Sequence, residues 1–288
     1  VFSFAVIASL RLIALMFSRP RIMGVLNVTP DSFSDGGRHD TLELAVKQAL
    51  RLLEDGADIL DIGGESTRPG AQEVSVEEEI RRTVPVIVAL RLATRDYDAD
   101  PVISIDTRKP EVAKAAILAG ADIWNDVSAL GFDARSPHVA AELGCPVILM
   151  HAQGTPETMQ DNPIYTDPVA EISDWLSARV AAVEAAGVER ENITLDPGIG
   201  FGKRHEDNLA IFNRLAEIKA LGFPLLMGAS RKSFIGRIDG SAVDDRLGGS
   251  IAAALWSAQA GADILRVHDV SETVQALRVW EAMADGSA

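Results

Sequence analysis

The chain has 288 residues, 47% hydrophobic and 24% charged, with 27 Lys+Arg against 42 Asp+Glu and a formal net charge of −15. So large an acidic surplus excludes a general nucleic-acid or anionic-membrane surface, and an anionic substrate would need a local group of cations working against the overall field. The lone Cys145 excludes an internal disulfide and any cysteine-built metal motif, and fits a reducing, cytoplasmic setting.

The opening VFSFAVIASLRLIALMF is too short to span a bilayer, is broken by Arg11 and lacks the positive leader of a secretory signal. Residues 1–20 are read as an extension and 21–288 as one domain. Within the extension, Met16 is a candidate translation start. The rival reading is a strand or hairpin plugging the floor of the domain.

From there one pattern recurs. Short apolar runs stop at polar residues in VLNVTPD, LDIGGEST, ISIDTR, IWNDVS, VILMH, ITLDPG, LLMGASRK and ILRVHD. Such runs predict strands buried on both faces, as in parallel sheets covered by helices. Amphipathic stretches lie between them. Leu42, Ala45, Val46, Ala49, Leu50 and Leu53 form one stripe behind an Asp40/Glu43 capping box. Similar patterns cover 75–94, 110–119, 136–143, 166–186, 206–221, 245–260 and 272–285. Gly56, Gly120 and Gly261, each followed by Ala-Asp-Ile, and the variants Gly144 and Gly222 predict left-handed helix ends before the next strand. Eight strands alternating with eight helices predict a single-domain α/β fold, a (β/α)8 TIM barrel with its active face at the strand carboxyl ends.

On that face the cations come late in the chain. Lys232, Arg266 and His268 follow strands seven and eight, where such barrels commonly hold phosphate, and Arg68 approaches from the loop after strand two. They are candidates to clamp a phosphate or diphosphate; any one alone would read as an ordinary rim charge. Asp106, Asn125 and Asp196 can accept and donate along the N–H-rich edge of a pterin or purine. The competing structural reading pairs Asp106 with Arg108 and makes Asp196 a turn cap before Pro197. Asp61, inside LDIGG, reads as structural. Asn27 is a candidate Mg2+ ligand or a turn residue. The loop through Gly36-Gly37 could act as a lid, with Phe33 and Asp35 facing substrate.

Other motifs fail. GIGFGKR has Pro197 and Arg204 where a P-loop needs Gly and Ser/Thr, and Lys203 where a dinucleotide fingerprint needs glycine. His151 lacks the partner histidines of a hydrolytic metal site. Cys145 beside Pro146 reads as a core thiol, and His39, His138 and His205 as surface residues.

NVTPDSFSDGG, GGESTRPG, IDTRKPEVAKAAILAGADIWNDVSA, LDPGIGFGK, ASRKSFIG and RVHDV, in that order between about residues 21 and 285, closely resemble the bacterial dihydropteroate synthases, a pterin-binding family. The resemblance implies a TIM barrel that joins 7,8-dihydropterin-6-ylmethyl diphosphate to 4-aminobenzoate, giving 7,8-dihydropteroate and diphosphate. It places Asp106, Asn125, Asp196 and Lys232 in the pterin pocket and Thr67, Arg68, Arg266 and His268 on the diphosphate side. Asn27 becomes the Mg2+ ligand. Phe33, Pro69, Phe201 and Ser233 surround the aminobenzoate, where sulfonamides compete, and the uninterrupted GIGFGK implies sensitivity to them. Asp106, Lys232, Arg266 and Asp35 are the implied catalytic groups in an SN1-like substitution. The resemblance further implies a homodimer through outer helices, with Trp256 and Trp280 as candidate joining residues. The apolar segment before Arg21 departs from the family pattern. Two rivals remain: a pterin-binding methyltransferase using methyltetrahydrofolate, which has no use for a diphosphate clamp at SRKS and RVHD, and a non-catalytic folate-binding paralogue.

Overall fold

The structure, a computed structural model, describes residues 19–29, 38–66, 73–97, 100–154, 159 and 163–285. The extension before Arg19, the loop carrying Phe33, Asp35 and Gly36-Gly37, and the segment Thr67, Arg68 and Pro69 lie outside these residues.

Eight strands form as expected: β1 Arg21–Asn27, β2 Ile59–Gly63, β3 Val102–Asp106, β4 Ile123–Asp126, β5 Val147–Met150, β6 Ile193–Asp196, β7 Leu226–Met227 and β8 Ile264–Val267. They pair in the order β6-β5-β4-β3-β2-β1-β8-β7, and a parallel bridge between Leu195 and Leu225 joins the two ends into a ring.

Side chains alternate across a strand, so parity decides which residues enter the barrel. Ile22, Leu26, Leu60, Ile62, Ile103, Ile105, Trp124, Leu149, Leu195 and Leu265 point outward and share one apolar core with the helices. Met23, Ile59, Ile123, Ile148, Leu226 and Ile264 form a separate buried cluster, the floor of the interior. Two residues beyond that floor, the same parity yields Asp61, Asn125 and Arg266; further up it yields Asn27, Gly63 and Asp106, with Asn27 opposite Gly63 and Gly63 opposite Asp106. The interior therefore changes from hydrocarbon to charge along its axis.

The helices are α1 Arg38–Glu54, α2 Val76–Thr94, α3 Pro110–Leu118, α4 Ser136–Leu143, α5 Pro168–Ala185, α6 His205–Asn213, α7 Leu215–Lys219, α8 Ser233–Asp239, α9 Leu247–Gln259 and α10 Val270–Asp285. Ser75 caps α2 by accepting the Glu78 N–H at 3.2 Å, and Asp167 caps α5 through the Val169 and Ala170 N–H groups ahead of Pro168. Three details correct the sequence reading. α1 opens at Arg38, which puts Asp40 inside the first turn instead of at the cap. The stretch 206–221 breaks at Arg214 (φ −119°, ψ 26°), whose guanidinium bonds Glu217 and Asp167; an unbroken apolar periodicity conceals the break. α8 is an additional short helix after β7, so strand and helix do not alternate strictly among the described residues.

The predicted glycine joints carry positive φ: Gly56 +100°, Gly120 +117°, Gly144 +61°, Gly222 +81° and Gly261 +93°. The aspartate beside three of them explains the recurring Gly-Ala-Asp. Asp58 Oδ2 accepts the Ile22 N–H at 2.7 Å, while the Asp58 N–H donates to the Ile22 carbonyl at 2.8 Å. Asp122 makes the same reciprocal pair with Ile103, and Asp263 with Leu225. Arg19, Arg91 and Lys219 neutralise the three carboxylates in turn. Each aspartate thus fastens the start of its own strand to the neighbouring one at the lower rim, away from the polar layers. Among the described residues no helix is long and apolar enough to cross a membrane.

Candidate active site

The centre of the polar layer is an ion-pair network. Arg266 donates from Nε to Asp61 Oδ2 at 2.6 Å and from Nη2 to Asp106 Oδ2 at 2.7 Å, and Asn125 Nδ2 donates to Asp61 Oδ2 at 3.2 Å. Asp61, which read as structural, is the hub that orients both Arg266 and Asn125. Asp106 pairs with Arg266 and not with Arg108, correcting the competing reading. Arg108 turns away to Glu65 at 3.1 Å and lies 4.3 Å over the Phe132 ring. Burial raises the Asp106 pKa, Arg266 opposes that, and the nearby Asp61 charge adds to it.

Asp196 does cap its turn, accepting the Gly198 N–H at 2.7 Å. Its pKa is raised by burial and drawn back by that N–H, Lys232 and Lys203. Lys232 stands at the residue before α8, with Nζ 3.9 Å over the Phe201 ring. Burial and then Arg266 lower its pKa to about 8, with Asp196 and Asp106 opposing. Ser233, one residue on, is exposed.

His268, the third residue of the expected clamp, stands beside Lys232 and Arg266. Its Nδ1 lies 3.1 Å from Ser230 Oγ, and burial together with Arg266 and Arg231 pushes its pKa down to about 4, so it is neutral at pH 7. It remains a hydrogen-bonding group beside Lys232 and Arg266.

At the top of β1, Asn27 Oδ1 and Asp106 Oδ2 flank the α-carbon of Gly63; a Cβ there would sit 3.7 and 3.8 Å from them. The glycine leaves open a space faced by two oxygen acceptors.

A second buried network joins residues that follow β2 to α2 and to the start of α3. Lys109 Nζ bonds Glu65 at 2.9 Å and Glu79 at 2.7 Å, and Glu65 also accepts the Val74 N–H at 2.8 Å, closing the base of the segment that contains Thr67, Arg68 and Pro69. Sequence reasoning assigned no role to Glu65, Glu79, Lys109 or Lys203. An acid or lysine with no evident partner in the sequence looks like surface until its burial is known. Cys145 is a core thiol as expected, buried and pushed up to about 12.

A barrel whose floor is apolar and whose mouth pairs carboxylates with an amide and basic groups is suited to a heterocycle bearing an anion. Residues 23–268 match the family described as pterin binding enzymes. Among curated relatives, the dihydropteroate synthase of Escherichia coli K12 is 49% identical over 269 residues, 93% of each chain. That of Synechocystis is 48% identical, with 92% of this chain and 90% of the relative covered. Two solved dihydropteroate synthases are closely similar. The Xanthomonas albilineans enzyme with 4-aminobenzoic acid has a TM-score of 0.85 and 50% identity over 93% of this chain and 94% of that one. The Yersinia pestis enzyme with a sulfonamide drug has 0.86 and 44%, covering 93% and 95%. The chain belongs to the dihydropteroate synthase family.

Proposed function

We propose that the protein is a transferase that condenses (7,8-dihydropterin-6-yl)methyl diphosphate with 4-aminobenzoate, giving 7,8-dihydropteroate and diphosphate. The observation that carries this reading is the Asp61–Arg266–Asp106 network, set between Asn125 and the Lys232–Phe201 pair at one barrel mouth. A Xanthomonas albilineans dihydropteroate synthase in complex with 7,8-dihydropteroate, 47% identical to this chain, supports it.

In this scheme Asp106, Asn125 and Asp196 hold the N–H-rich face of the pterin. Lys232, Arg266, Thr67 and Arg68 take up negative charge as the carbon–oxygen bond breaks with its electron pair leaving on the diphosphate. The cation left on the pterin methylene is delocalised into the ring and faces Asp106 and Asp35. The neutral aryl amine then forms the carbon–nitrogen bond and releases its proton to water, so no activated nucleophile is needed. Among the described residues no cluster of three or more His, Cys, Asp or Glu could cage a metal by itself. The Asn27 oxygen beside Gly63 suits an ion held by few protein ligands and by substrate phosphate, and Mg2+ there would neutralise charge on the leaving diphosphate.

Phe201, Ser233, Pro69 and Phe33 border the aminobenzoate in this reading, and sulfonamides compete there. Diphosphate release on mixing the protein with both substrates tests the reaction. A protein that leaves the pterin diphosphate intact, or moves a methyl group from methyltetrahydrofolate, overturns the assignment. Lys232 adds a pH dependence. It is protonated below about 8 and neutral above, so the KM for pterin diphosphate is expected to rise several-fold, on the order of one charged contact, between about pH 7 and 9.5. Lys232→Arg should flatten that rise, and a flat wild-type profile would exclude Lys232 from the anion.

We further propose a cytoplasmic homodimer. Exposed Leu209, Ile238 and Trp256 border an apolar groove of about 420 Å3 on α6, α8 and α9. A second copy is its proposed cover, and a solution mass of one chain would remove the idea. Cell fractionation checks the compartment.

A further inference from the structure

Lys203 is 3% exposed, and the scheme above gives it nothing to do. It closes the GIGFGK loop, which runs from β6 to α6 directly over the backbone that follows β5. Two glycines permit that approach. A Cβ on Gly198 (φ +69°) would fall 2.0 Å from the His151 carbonyl oxygen, and one on Gly202 (φ +59°) 2.2 Å from that of Gln153.

The close layering brings acceptors from both segments to one point, and the Lys203 ammonium fills it. Nζ lies 2.9 Å from the Phe201 carbonyl oxygen, 3.2 Å from that of His151 and 2.9 Å from His151 Nδ1. Burial lowers the Lys203 pKa to about 7, with Asp196 opposing; in the protonated form the group has three donors, and here each has a partner. An accepting Nδ1 means that His151 carries its proton on Nε2. Burial and then Lys203 push the His151 pKa down to about 3, which keeps the ring neutral. Trp175 meets the ring edge-on at 5.0 Å, and Tyr165 beside it donates its hydroxyl to the Gly202 carbonyl at 2.8 Å. The residue whose carbonyl Lys203 grips is Phe201, the ring under Lys232.

We propose that Lys203 is a positioning residue: by tying the Phe201 carbonyl to the end of β5, it sets the Phe201 ring beneath Lys232 and so shapes the subsite for the aryl ring of the amine substrate. This rests on the aminobenzoate reading above. A tie that served stability alone would leave the two substrates' affinities in their original ratio; a positioning tie changes one of them.

Lys203→Met keeps the stem and removes the donors. It is expected to raise the KM for 4-aminobenzoate by about tenfold or more, the scale of a lost charge-assisted hydrogen bond. The dissociation constant for pterin diphosphate should change by less than about threefold, because Asp106, Asn125 and Arg266 lie on other strands and Asp196, although it ends β6, keeps its cap on the Gly198 N–H. Tyr165→Phe removes the neighbouring tie to Gly202 with the ring retained. It should shift the aminobenzoate KM the same way by a smaller factor, and it serves if Lys203→Met does not fold. An unchanged aminobenzoate KM in a folded variant, or equal weakening of both substrates, overturns the proposal. Absence of diphosphate release by the wild-type protein sinks the functional reading first, and this inference with it.

Discussion

Arg266→Met is expected to lower kcat/KM for the condensation by about 10²–10³-fold and to destabilise the fold by about 3–5 kcal/mol. Both effects come from one guanidinium. It joins two carboxylates whose side chains are 0% and 12% exposed, and its removal leaves Asp61 and Asp106 facing each other in the barrel without a counter-charge. The sign of the pH response follows. The folded-state pKa of Asp106 is already raised, and without Arg266 it rises further, so the folded state binds more protons than the unfolded chain above the ordinary carboxylate range. The variant should therefore be weakest at neutral pH and recover stability on acidification toward about pH 5. Urea unfolding at the two pH values measures this. Asp61→Asn in the same chain should return part of the stability and none of the activity. A variant with wild-type stability and turnover would show that Arg266 is a rim charge after all.

Lys109→Met should cost about as much stability, on the order of 3–5 kcal/mol, with a different functional signature. Its ammonium lies between Glu65, 8% exposed, and Glu79, 0% exposed, so the substitution leaves Glu79 buried without a cation and Glu65 with Arg108 alone. Adding Glu79→Leu should recover a substantial part of the loss, since replacing a buried pair by packed hydrocarbon is often nearly neutral. Glu65 also closes the base of the loop carrying Thr67 and Arg68. The folded single variant should thus show a raised KM for pterin diphosphate with an undisturbed aminobenzoate KM. Thermal unfolding with steady-state kinetics tests both parts; full stability in Lys109→Met would mean that the two glutamates find other partners.

Much of this barrel is legible as text because its strands are short and its stops are abrupt. Asn27, Asp106, Asn125, Asp196 and Arg266 can be picked out because hydrocarbon precedes each of them and a polar group there demands a reason, and Lys232 because it closes the polar stop after β7. Asp61 escapes the same logic. It sits inside its run, and a strand buried on both faces gives no alternation from which to tell inward from outward. Counting by twos from Ile59 to Asp61 to Gly63 would have put it in the barrel once the floor was known. The charge of His268 is hidden for another reason: it depends on burial, and on cations that come near it only in the folded chain. Lys203 was set aside with the motif it spoils, although burying an ammonium requires acceptors to be assembled around it. The helix break at Arg214 is hidden because the apolar periodicity continues across it.

The lower-rim aspartates grip peptide N–H groups, which every residue but proline presents. Strands β1, β3 and β7 are thereby fastened without reference to the side chains they send inward. Mutation can rewrite those inward positions, and with them the chemistry at the mouth, while the staves of the barrel stay hooped at the opposite end. Such a frame gives evolution latitude to trial new reactions without first having to reinvent the vessel that holds them.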